Sequence, residues 1–220
     1  ISKDHSTGAA GILVNEITGT NAINVFPGAA GAITTEDIDK AEEAIKNSSI
    51  FLTQLEAPKD VVTYALKKAN DLNVKTILNP APAAEIDSSL FPLIDYFTPN
   101  ETEASFYVDQ DVVTYEDAEK AASQLLDKGI KNVVITLGEK GAYFANSEEK
   151  FSLPIANLSN PVVDTTGAGD AFNAGLAAAL TEGQNIKDSL IFASATAGLS
   201  TTKIGTANSM PSREEIDRIL

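Results

Sequence analysis

A glycine-rich run, Asp164-Thr165-Thr166-Gly167-Ala168-Gly169-Asp170, contains the residue types that a phosphoryl-transfer site requires. Gly167 and Gly169 lack a Cβ, so the backbone there can approach a ligand closely. Residues 171–180 are rich in Ala and Leu, which favours a helix. The N–H groups of that helix's first turn suit an anionic oxygen, and Asp170 beside them could accept a proton from a hydroxyl. The run would also fit an ordinary helix start that Asp caps after a flexible turn.

The same run matches the signature D-T-x-G-A-G-D of the ribokinase-like carbohydrate kinases, and the chain resembles that family over nearly its whole length. Four further motifs match the family and occur along the chain in the family's order: Asn79-Pro80-Ala81-Pro82-Ala83, Pro99-Asn100-Glu101-Thr102-Glu103-Ala104, Thr136-Leu137-Gly138-Glu139-Lys140-Gly141 and the tail over residues 194–209. Within the family, the first of these motifs and Gln54-Leu55-Glu56 are most similar to ribokinases. The resemblance therefore implies a sugar kinase.

The start of the chain departs from the family's pattern. Family members begin with a segment that carries a sugar-binding Asn/Asp pair and a Gly-Gly motif, and nothing in this sequence resembles it. The chain opens on Ile1, and its one methionine is Met210. We therefore expect the chain to be the C-terminal portion of a longer kinase, with a natural short variant as the alternative. That segment would supply most of the sugar contacts and so would determine which sugar is bound.

Composition limits the class of protein. With 220 residues, 43% of them hydrophobic, the chain can bury a substantial core and has no apolar run long enough to span a bilayer. It contains no cysteine, which excludes disulfides and thiolate zinc sites. The formal net charge of −15 disfavours binding to nucleic acid or to an anionic membrane. We expect a soluble cytoplasmic protein whose single histidine, His5, is solvated.

The hydrophobic pattern predicts an α/β fold. Apolar runs predict strands at 11–15, 22–26, 50–55, 74–78, 95–98, 132–136, 142–145 and 150–154, with a turn at Thr18-Gly19-Thr20-Asn21. Helices are expected at 59–72, 102–107, 115–128, 168–180, 186–199 and 212–220. Such alternation favours a mainly parallel sheet with helices on both faces. We assign residues 1–30 to part of a small β lid and 31–220 to an α/β nucleotide-binding kinase core.

Polar residues that follow the predicted strands are site candidates, because ligands of open α/β sheets lie beyond the carboxyl ends of the strands. The resemblance implies that Glu56 binds sugar hydroxyls, that Asn100 lies near the nucleotide phosphates and that Glu103 orients Mg²⁺ through water. Taken alone, Glu56 would be an ordinary loop carboxylate. Asn100 and Glu103 would equally fit a helix start with acidic residues in its first turn.

The resemblance also implies nucleotide and cation sites. The residues assigned to ATP are Asn100, Thr136, Leu137, Gly138, Glu139, Lys140, Gly141, Gly169, Asp170 and Ser194. Those assigned to a K⁺ ion are Asp164, Thr166, Ser200, Lys203, Gly205 and Ser209, mostly through backbone carbonyls. Without the resemblance, residues 200–209 would be a glycine-containing loop between helices.

The reaction implied by the resemblance transfers the γ-phosphoryl group of ATP to a primary sugar hydroxyl, most simply O5 of D-ribose. Asp170 would act as base and bind substrate, while the N–H groups of Gly167, Ala168 and Gly169 form an anion hole. ATP and a small sugar are the expected partners, with Mg²⁺ as cofactor, K⁺ as activator and a possible homodimer through the lid.

Other readings of the sequence remain open. One is a kinase for another sugar or a nucleoside, and another is a noncatalytic nucleotide-binding protein. A dinucleotide oxidoreductase is disfavoured because Phe172 occupies the third glycine position of G-x-G-x-x-G. A P-loop enzyme is excluded by the absence of G-x-x-x-x-G-K-[ST].

Overall fold

A six-stranded sheet forms the framework of the first part of the structure, a computed structural model that describes residues 2–17, 21–158 and 160–220. Its strands are β3 (Ile50–Thr53), β4 (Lys75–Leu78), β5 (Tyr96–Phe97), β6 (Asn132–Thr136), β7 (Ala142–Asn146) and β8 (Lys150–Leu153), in that spatial order. The pairs from β3 to β6 are parallel, and β6 pairs antiparallel with β7. A separate two-stranded sheet joins β1 (Ala9–Val14) and β2 (Asn21–Phe26).

The chain divides into two units. The first contains Phe26–Gly138, Ala142–Ser152 and the N-terminal residues up to Ala9. It holds helices α1 (Thr35–Lys40), α2 (Glu42–Lys46), α3 (Lys59–Asp71), α4 (Glu101–Val108) and α5 (Tyr115–Asp127). The second contains Leu153–Leu220, Glu139–Gly141 and the described residues between Ala10 and Val25, with helices α6 (Ala168–Thr181), α7 (Ile186–Ser200) and α8 (Arg213–Asp217).

In the first unit, apolar strands and one face of each long helix make the core. Helix α5 buries Ala118, Ala121, Ala122 and Leu125, which recur at helical spacing on one face. Strand residues such as Phe97 and Ile135 are fully buried in the same cluster. Near-continuous apolar strands are typical of parallel sheets, which are covered on both faces.

In the second unit, α6 and α7 approach closely at a glycine. A Cβ placed on Gly175 would lie 2.8 Å from Oγ1 of Thr196 and 3.0 Å from Cα of Ala193. Ala179, Phe192, Ala195 and Ile216 form a buried cluster beside this contact. A glycine is therefore required at position 175 for the observed packing of α6 on α7.

The predicted fold class is confirmed: the sheet is mainly parallel, with helices packed around it. The predicted strands and helices are present, and most of their ends agree within two residues. Helices α1 and α2 were not expected, and the last helix, expected over 212–220, covers only Arg213–Asp217. The predicted turn at Thr18-Gly19-Thr20-Asn21 falls on residues 18–20, outside the described residues.

The division into a lid over 1–30 and a core over 31–220 stays a prediction. Among the described residues, none of the helices has the length and apolar character needed to cross a bilayer.

Candidate active site

In the first unit, the candidate residues follow the carboxyl ends of the parallel strands. Glu56 lies just beyond β3, Asn100 just beyond β5, and Leu137 and Gly138 directly after β6. Because β3 to β6 run parallel, these ends share one edge of the sheet. Glu56 is exposed at this edge, so its carboxylate is accessible to a ligand.

Asn100 and Glu103 bind each other at the start of α4. The Asn100 side chain accepts a hydrogen bond from the backbone N–H of Glu103, at 2.9 Å, and caps the helix. The backbone N–H of Asn100 donates to Oε2 of Glu103 at 2.9 Å, and its Nδ2 donates to Oε1 at 3.0 Å. Both carboxylate oxygens of Glu103 are thus held by one residue. This reciprocal arrangement is a capping box.

Glu103 is a buried carboxylate. Only 7% of the residue is exposed, and this burial raises the pKa of its carboxyl above the ordinary value of 4.5. The hydrogen bond from the Asn100 backbone lowers the pKa, and the nearby charge of Glu101 adds to the rise. A carboxylate in such surroundings gains from a nearby cation, which would offset the cost of burying its charge.

The loop after β6 lies against the start of α4. The backbone N–H of Thr136 donates to the carbonyl of Pro99 at 3.0 Å, and Asn100 forms a β-bridge with Thr136. Gly138 has φ +52°, and a Cβ there would lie 3.5 Å from Oε1 of Glu101. The structure therefore brings together Asn100, Glu103 and the predicted nucleotide loop as far as Gly138.

The rest of that loop, Glu139 to Gly141, belongs to the second unit. Gly141 has φ +104°, and a Cβ at this position would lie 2.1 Å from the carbonyl oxygen of Leu153. No side chain can be accommodated there without moving the backbone. Gly141 therefore fixes how the end of the loop packs, and Glu139 and Lys140 remain candidates for contact with ATP.

The loop before α6 is organised by Asp164. Its Oδ1 accepts a hydrogen bond from the backbone N–H of Thr166 at 2.9 Å, and its Oδ2 accepts one from the backbone N–H of Gly205 at 3.0 Å. The bond from Gly205 is the largest cause of a pKa below the ordinary 3.8, followed by the bonds from Thr166. Asp164 and Thr166 are each only 5% exposed. Asp164 is thus an ionised carboxylate that holds two loops.

The glycine-rich turn leads directly into α6, as expected. Gly167 is the N-cap residue, with φ +79°, and Asp170 lies exposed in the first helical turn. A Cβ on Gly169 would meet no atom within 4 Å, so the space beside it is open. The backbone N–H of Ala168 donates to the carbonyl of Thr165 at 3.2 Å, so Ala168 would have to share this bond to serve an anion. The turn therefore presents an open helix N-terminus beside a carboxylate.

The predicted cation-site residues lie around the same loop in the second unit, but their side chains are engaged within the protein. Ser200 Oγ donates to the Ala197 carbonyl at 2.7 Å, and Ser209 Oγ donates to the Thr206 carbonyl at 2.6 Å. Lys203 forms an ion pair with Glu215 at 3.0 Å. A cation here would be held by the ionised Asp164 together with backbone carbonyls, which are oxygen donors of the kind that hard cations take.

A magnesium site built from protein side chains alone is not present among the described residues, where no three His, Cys, Asp or Glu residues cluster. Mg²⁺ that accompanies a nucleotide keeps much of its water and binds through phosphates with one or two carboxylates. Glu103 fits that limited role.

Ser194 lies on α7, where its Oγ accepts a hydrogen bond from the backbone N–H of Ala156 at 3.2 Å. It therefore joins α7 to the segment after β8. Its predicted place near the adenine stays a prediction.

Two further polar residues near the site carry no role in the sequence motifs. Glu101 lies beside Gly138, and Asn173, which is 4% exposed, donates to the carbonyl of Gly169 at 2.9 Å. Asn173 ties the second turn of α6 to the first. A polar residue on an otherwise apolar helix was the available signal.

The candidate residues form two sets, one in each unit, and the assignment of each role to a residue remains a proposal.

Comparison with known proteins identifies the family. The model of the pfkB family carbohydrate kinases matches residues 1–213. The bifunctional ribokinase/ribose-5-phosphate isomerase A of Fructilactobacillus sanfranciscensis is 38% identical over 220 residues, which is 100% of this chain and 40% of that protein. The deoxyribokinase of Salmonella typhi is 35% identical over 216 residues, 98% of this chain and 70% of that protein.

A solved structure agrees. The ribokinase of Arabidopsis thaliana, in a structure complexed with ribose and ATP, matches with a TM-score of 0.89 and 32% identity over 98% of this chain and 70% of that one. The chain therefore spans less than the full length of each of these proteins. The family and the enzyme class that the motifs predict are confirmed. This chain belongs to the pfkB family of carbohydrate kinases.

Proposed function

We propose that the full-length protein transfers the γ-phosphoryl group of ATP to O5 of D-ribose, yielding ribose 5-phosphate and ADP. The observation that carries this proposal is the turn at the start of α6. There the exposed Asp170 stands in the first helical turn, beside the open space at Gly169. A helix N-terminus of this kind attracts phosphate oxygens, and a carboxylate beside it can receive a proton.

In the proposed reaction, the sugar oxygen attacks the γ-phosphorus as its proton passes to the carboxylate of Asp170. The bond between the γ-phosphorus and the bridging oxygen breaks, and ADP leaves with the electron pair. The N–H groups of Gly167 and Gly169 stabilise the charge that develops on the transferred group, with Ala168 contributing if its bond to Thr165 is shared. Glu56 would orient the sugar, because a carboxylate can accept several hydroxyl hydrogen bonds in fixed directions.

The cations would act on organisation and charge. Mg²⁺, when bound with ATP, offsets the repulsion between phosphate oxygens, and Glu103 with Asn100 would hold its hydration shell. Asp164 and the carbonyls near Ser200 and Gly205 would hold K⁺. That position would keep the loop before α6 in place without contact to substrate.

Deoxyribose is the main competing acceptor, because the Salmonella relative is named a deoxyribokinase. Both sugars offer the same primary hydroxyl, so Asp170 and the helix N-terminus would serve either. Ribose and 2-deoxyribose differ only in the 2-hydroxyl group, so contacts with that group would determine which sugar is preferred. Ribose is favoured by the ribokinase names of the other two similar proteins.

The test is ATP consumption by the full-length protein with ribose, 2-deoxyribose, fructose and a nucleoside, each with and without K⁺. We expect the highest kcat/KM on ribose and stimulation by K⁺. A higher kcat/KM for 2-deoxyribose would show that 2-deoxyribose, and not ribose, is the preferred substrate. ATP binding without turnover on any acceptor would contradict the kinase proposal and favour a noncatalytic nucleotide-binding protein.

We also propose that two copies pair through the sheet of β1 and β2. Apolar side chains there are exposed, among them Leu13 at 76% and Phe26 at 62%. Covering them would remove apolar surface from water. Sedimentation of the full-length protein should give a dimer, which Leu13→Lys should weaken. A monomer at all concentrations would contradict this pairing. We also propose a cytoplasmic location, because the chain contains no cysteine and so does not depend on an oxidising compartment for disulfides.

A further inference from the structure

Asn79 connects the ends of three parallel strands with its side chain. It directly follows β4, and its Nδ2 donates to the carbonyl of Thr98, just after β5, at 3.0 Å. Its Oδ1 accepts a hydrogen bond from Nε2 of Gln54, just after β3, at 3.2 Å. Asn79 and Thr98 are 7% and 2% exposed. One buried amide therefore bridges β3, β4 and β5 at the edge of the sheet where the candidate site lies.

The main chain already pairs these strands without that side chain. The backbone N–H of Asn79 donates to the Thr53 carbonyl at 3.0 Å, and the backbone N–H of Thr98 donates to the Leu78 carbonyl at 3.1 Å. Burying an amide is costly unless its hydrogen bonds are made. An apolar side chain would fill the same position without that requirement, so strand pairing alone does not account for an asparagine.

The partners of Asn79 lie next to two different parts of the candidate site. On the β3 side, Gln54 is two residues before Glu56, and the backbone N–H of Leu55 donates to the carbonyl of Ala81 at 2.9 Å. The backbone N–H of Ala81 in turn donates to the carbonyl of Asn79 at 2.8 Å. The segment that carries Glu56 is therefore fixed to Asn79 through both its side chain and its backbone.

On the β5 side, Thr98 leads through Pro99 to Asn100. The carbonyl of Pro99 accepts the backbone N–H of Thr136, and Asn100 holds Glu103. A shift of the Thr98 carbonyl would therefore move the start of α4 and the loop after β6 together.

We propose that Asn79 is a positioning residue that sets Glu56, on the sugar side, relative to Asn100 and Glu103, on the nucleotide side. This inference rests on the proposed function, because it uses the roles given there to Glu56, Asn100 and Glu103. Asn79 itself is assigned no contact with substrate. It acts through Gln54 and through Thr98. A buried amide whose oxygen and nitrogen are each hydrogen-bonded is suited to this, since such networks rigidify the positions of their members.

The experiment compares Asn79→Ser with Asn132→Ser in the full-length protein. Asn132 is a matched control in the same sheet, at the amino end of β6, away from the carboxyl ends where the candidate site lies. Its Nδ2 donates to the Asp95 carbonyl at 2.9 Å, and its Oδ1 accepts from Nδ2 of Asn146 at 3.0 Å. Both substitutions remove one strand-bridging amide, so both should lower the unfolding temperature.

Only Asn79→Ser should change the kinetics. We expect its KM values for ribose and for MgATP each to rise about fivefold to tenfold, because substrate binding must then supply the order that the Asn79 amide gives to both sides of the site. Asn132→Ser should keep both values. Equal kinetic effects of the two variants, or unchanged KM values in Asn79→Ser, would overturn the inference.

A second variant separates the two sides and does not depend on the folding of Asn79→Ser. Gln54→Ala removes the sugar-side bond, so it should raise the KM for ribose and leave the KM for MgATP unchanged. An unchanged ribose KM, or an equal rise in both values, would overturn the inference. Absence of turnover in the wild-type protein on every sugar would instead overturn the proposed function, and the inference with it.

Discussion

The carboxylate of Asp164 accepts a hydrogen bond from the backbone N–H of Gly205, which is 41 residues later in the chain, with 3.0 Å between Oδ2 and the nitrogen. Its other oxygen accepts the backbone N–H of Thr166. One side chain thereby joins the loop before α6 to the loop after α7. These bonds favour the ionised form, which is why the pKa of Asp164 lies below its ordinary value.

This relationship predicts a pH dependence of stability. Because the folded-state pKa is below the ordinary 3.8, Asp164 stabilises the fold fully above that value and loses its contribution as pH falls through the lowered pKa. Asp164→Asn should therefore reduce the unfolding temperature near neutral pH, and its difference from wild type should shrink toward about pH 3. Circular dichroism melting curves measure this. A difference in unfolding temperature that does not vary with pH would contradict this prediction. The control is Asp4→Asn, which alters a carboxylate in the exposed N-terminal segment.

Glu103 should behave with the opposite sign. Burial raises its folded-state pKa above 4.5, so the folded protein holds the proton more tightly, and the contribution of Glu103 to stability falls as pH rises through the raised value. The free energy of unfolding of wild type relative to Glu103→Gln should therefore decline from about pH 4 to neutral pH. Chemical denaturation at several pH values tests this. A rise with pH would refute the assignment.

The same Glu103→Gln variant tests the magnesium role. We expect the Mg²⁺ concentration for half-maximal turnover to rise about tenfold, because a ligand that orients metal-bound water is lost. Glu116→Gln, an exposed carboxylate in the first turn of α5, should leave it unchanged. An equal Mg²⁺ requirement in both variants would remove Glu103 from the metal site.

Asp170→Asn should lower kcat by roughly 10²- to 10⁴-fold, because the amide cannot accept the hydroxyl proton. Nucleotide affinity, measured by calorimetry, should change little. The matched control is Asp188→Asn, which alters a carboxylate in the first turn of the neighbouring helix α7. Near-normal turnover in Asp170→Asn would exclude Asp170 as the base.

Two glycines of α6 should respond to alanine in opposite ways. Gly169→Ala meets no protein atom within 4 Å, so it should stabilise the helix by up to about 0.5–1 kcal/mol and yet abolish turnover by crowding the phosphate. Gly175→Ala would place its Cβ 2.8 Å from Thr196 Oγ1 and should destabilise the protein. Melting temperatures and kcat/KM measured together test both. Full activity in Gly169→Ala would show that no ligand approaches that position.

Much of the fold could be predicted, because strands buried on both faces are apolar along their length. Their ends were harder to predict. The strand expected over 95–98 covers only Tyr96–Phe97, and at its start the side chain of Asp95 accepts the backbone N–H of Thr76 at 2.8 Å in place of a ladder bond. Helices α1 and α2 were missed because they are short and only Ile45 is buried in them.

The candidate-site residues could be predicted where the groups that do chemistry lie close together in the sequence, as in the run from Asp164 to Asp170. Contacts between distant strand ends were not accessible in this way. Asn79 stands 25 residues from Gln54 and 19 from Thr98, and nothing in local sequence indicates which partners its amide meets.

The order of the strands also constrains how the chain folds. Strands β6 and β7 are neighbours both in the sheet and along the chain, and they pair antiparallel over five residues, from Asn132 with Asn146 to Thr136 with Ala142. Each parallel pair from β3 to β6 instead requires an intervening segment to cross over first. Local pairing closes a short loop at low entropic cost, whereas parallel pairing closes a long one. The hairpin of β6 and β7 should therefore gain protection from hydrogen exchange before β3 and β4, which lead to Glu56 and Asn79. The sheet edge on which the sugar and nucleotide residues meet would then be completed late in folding.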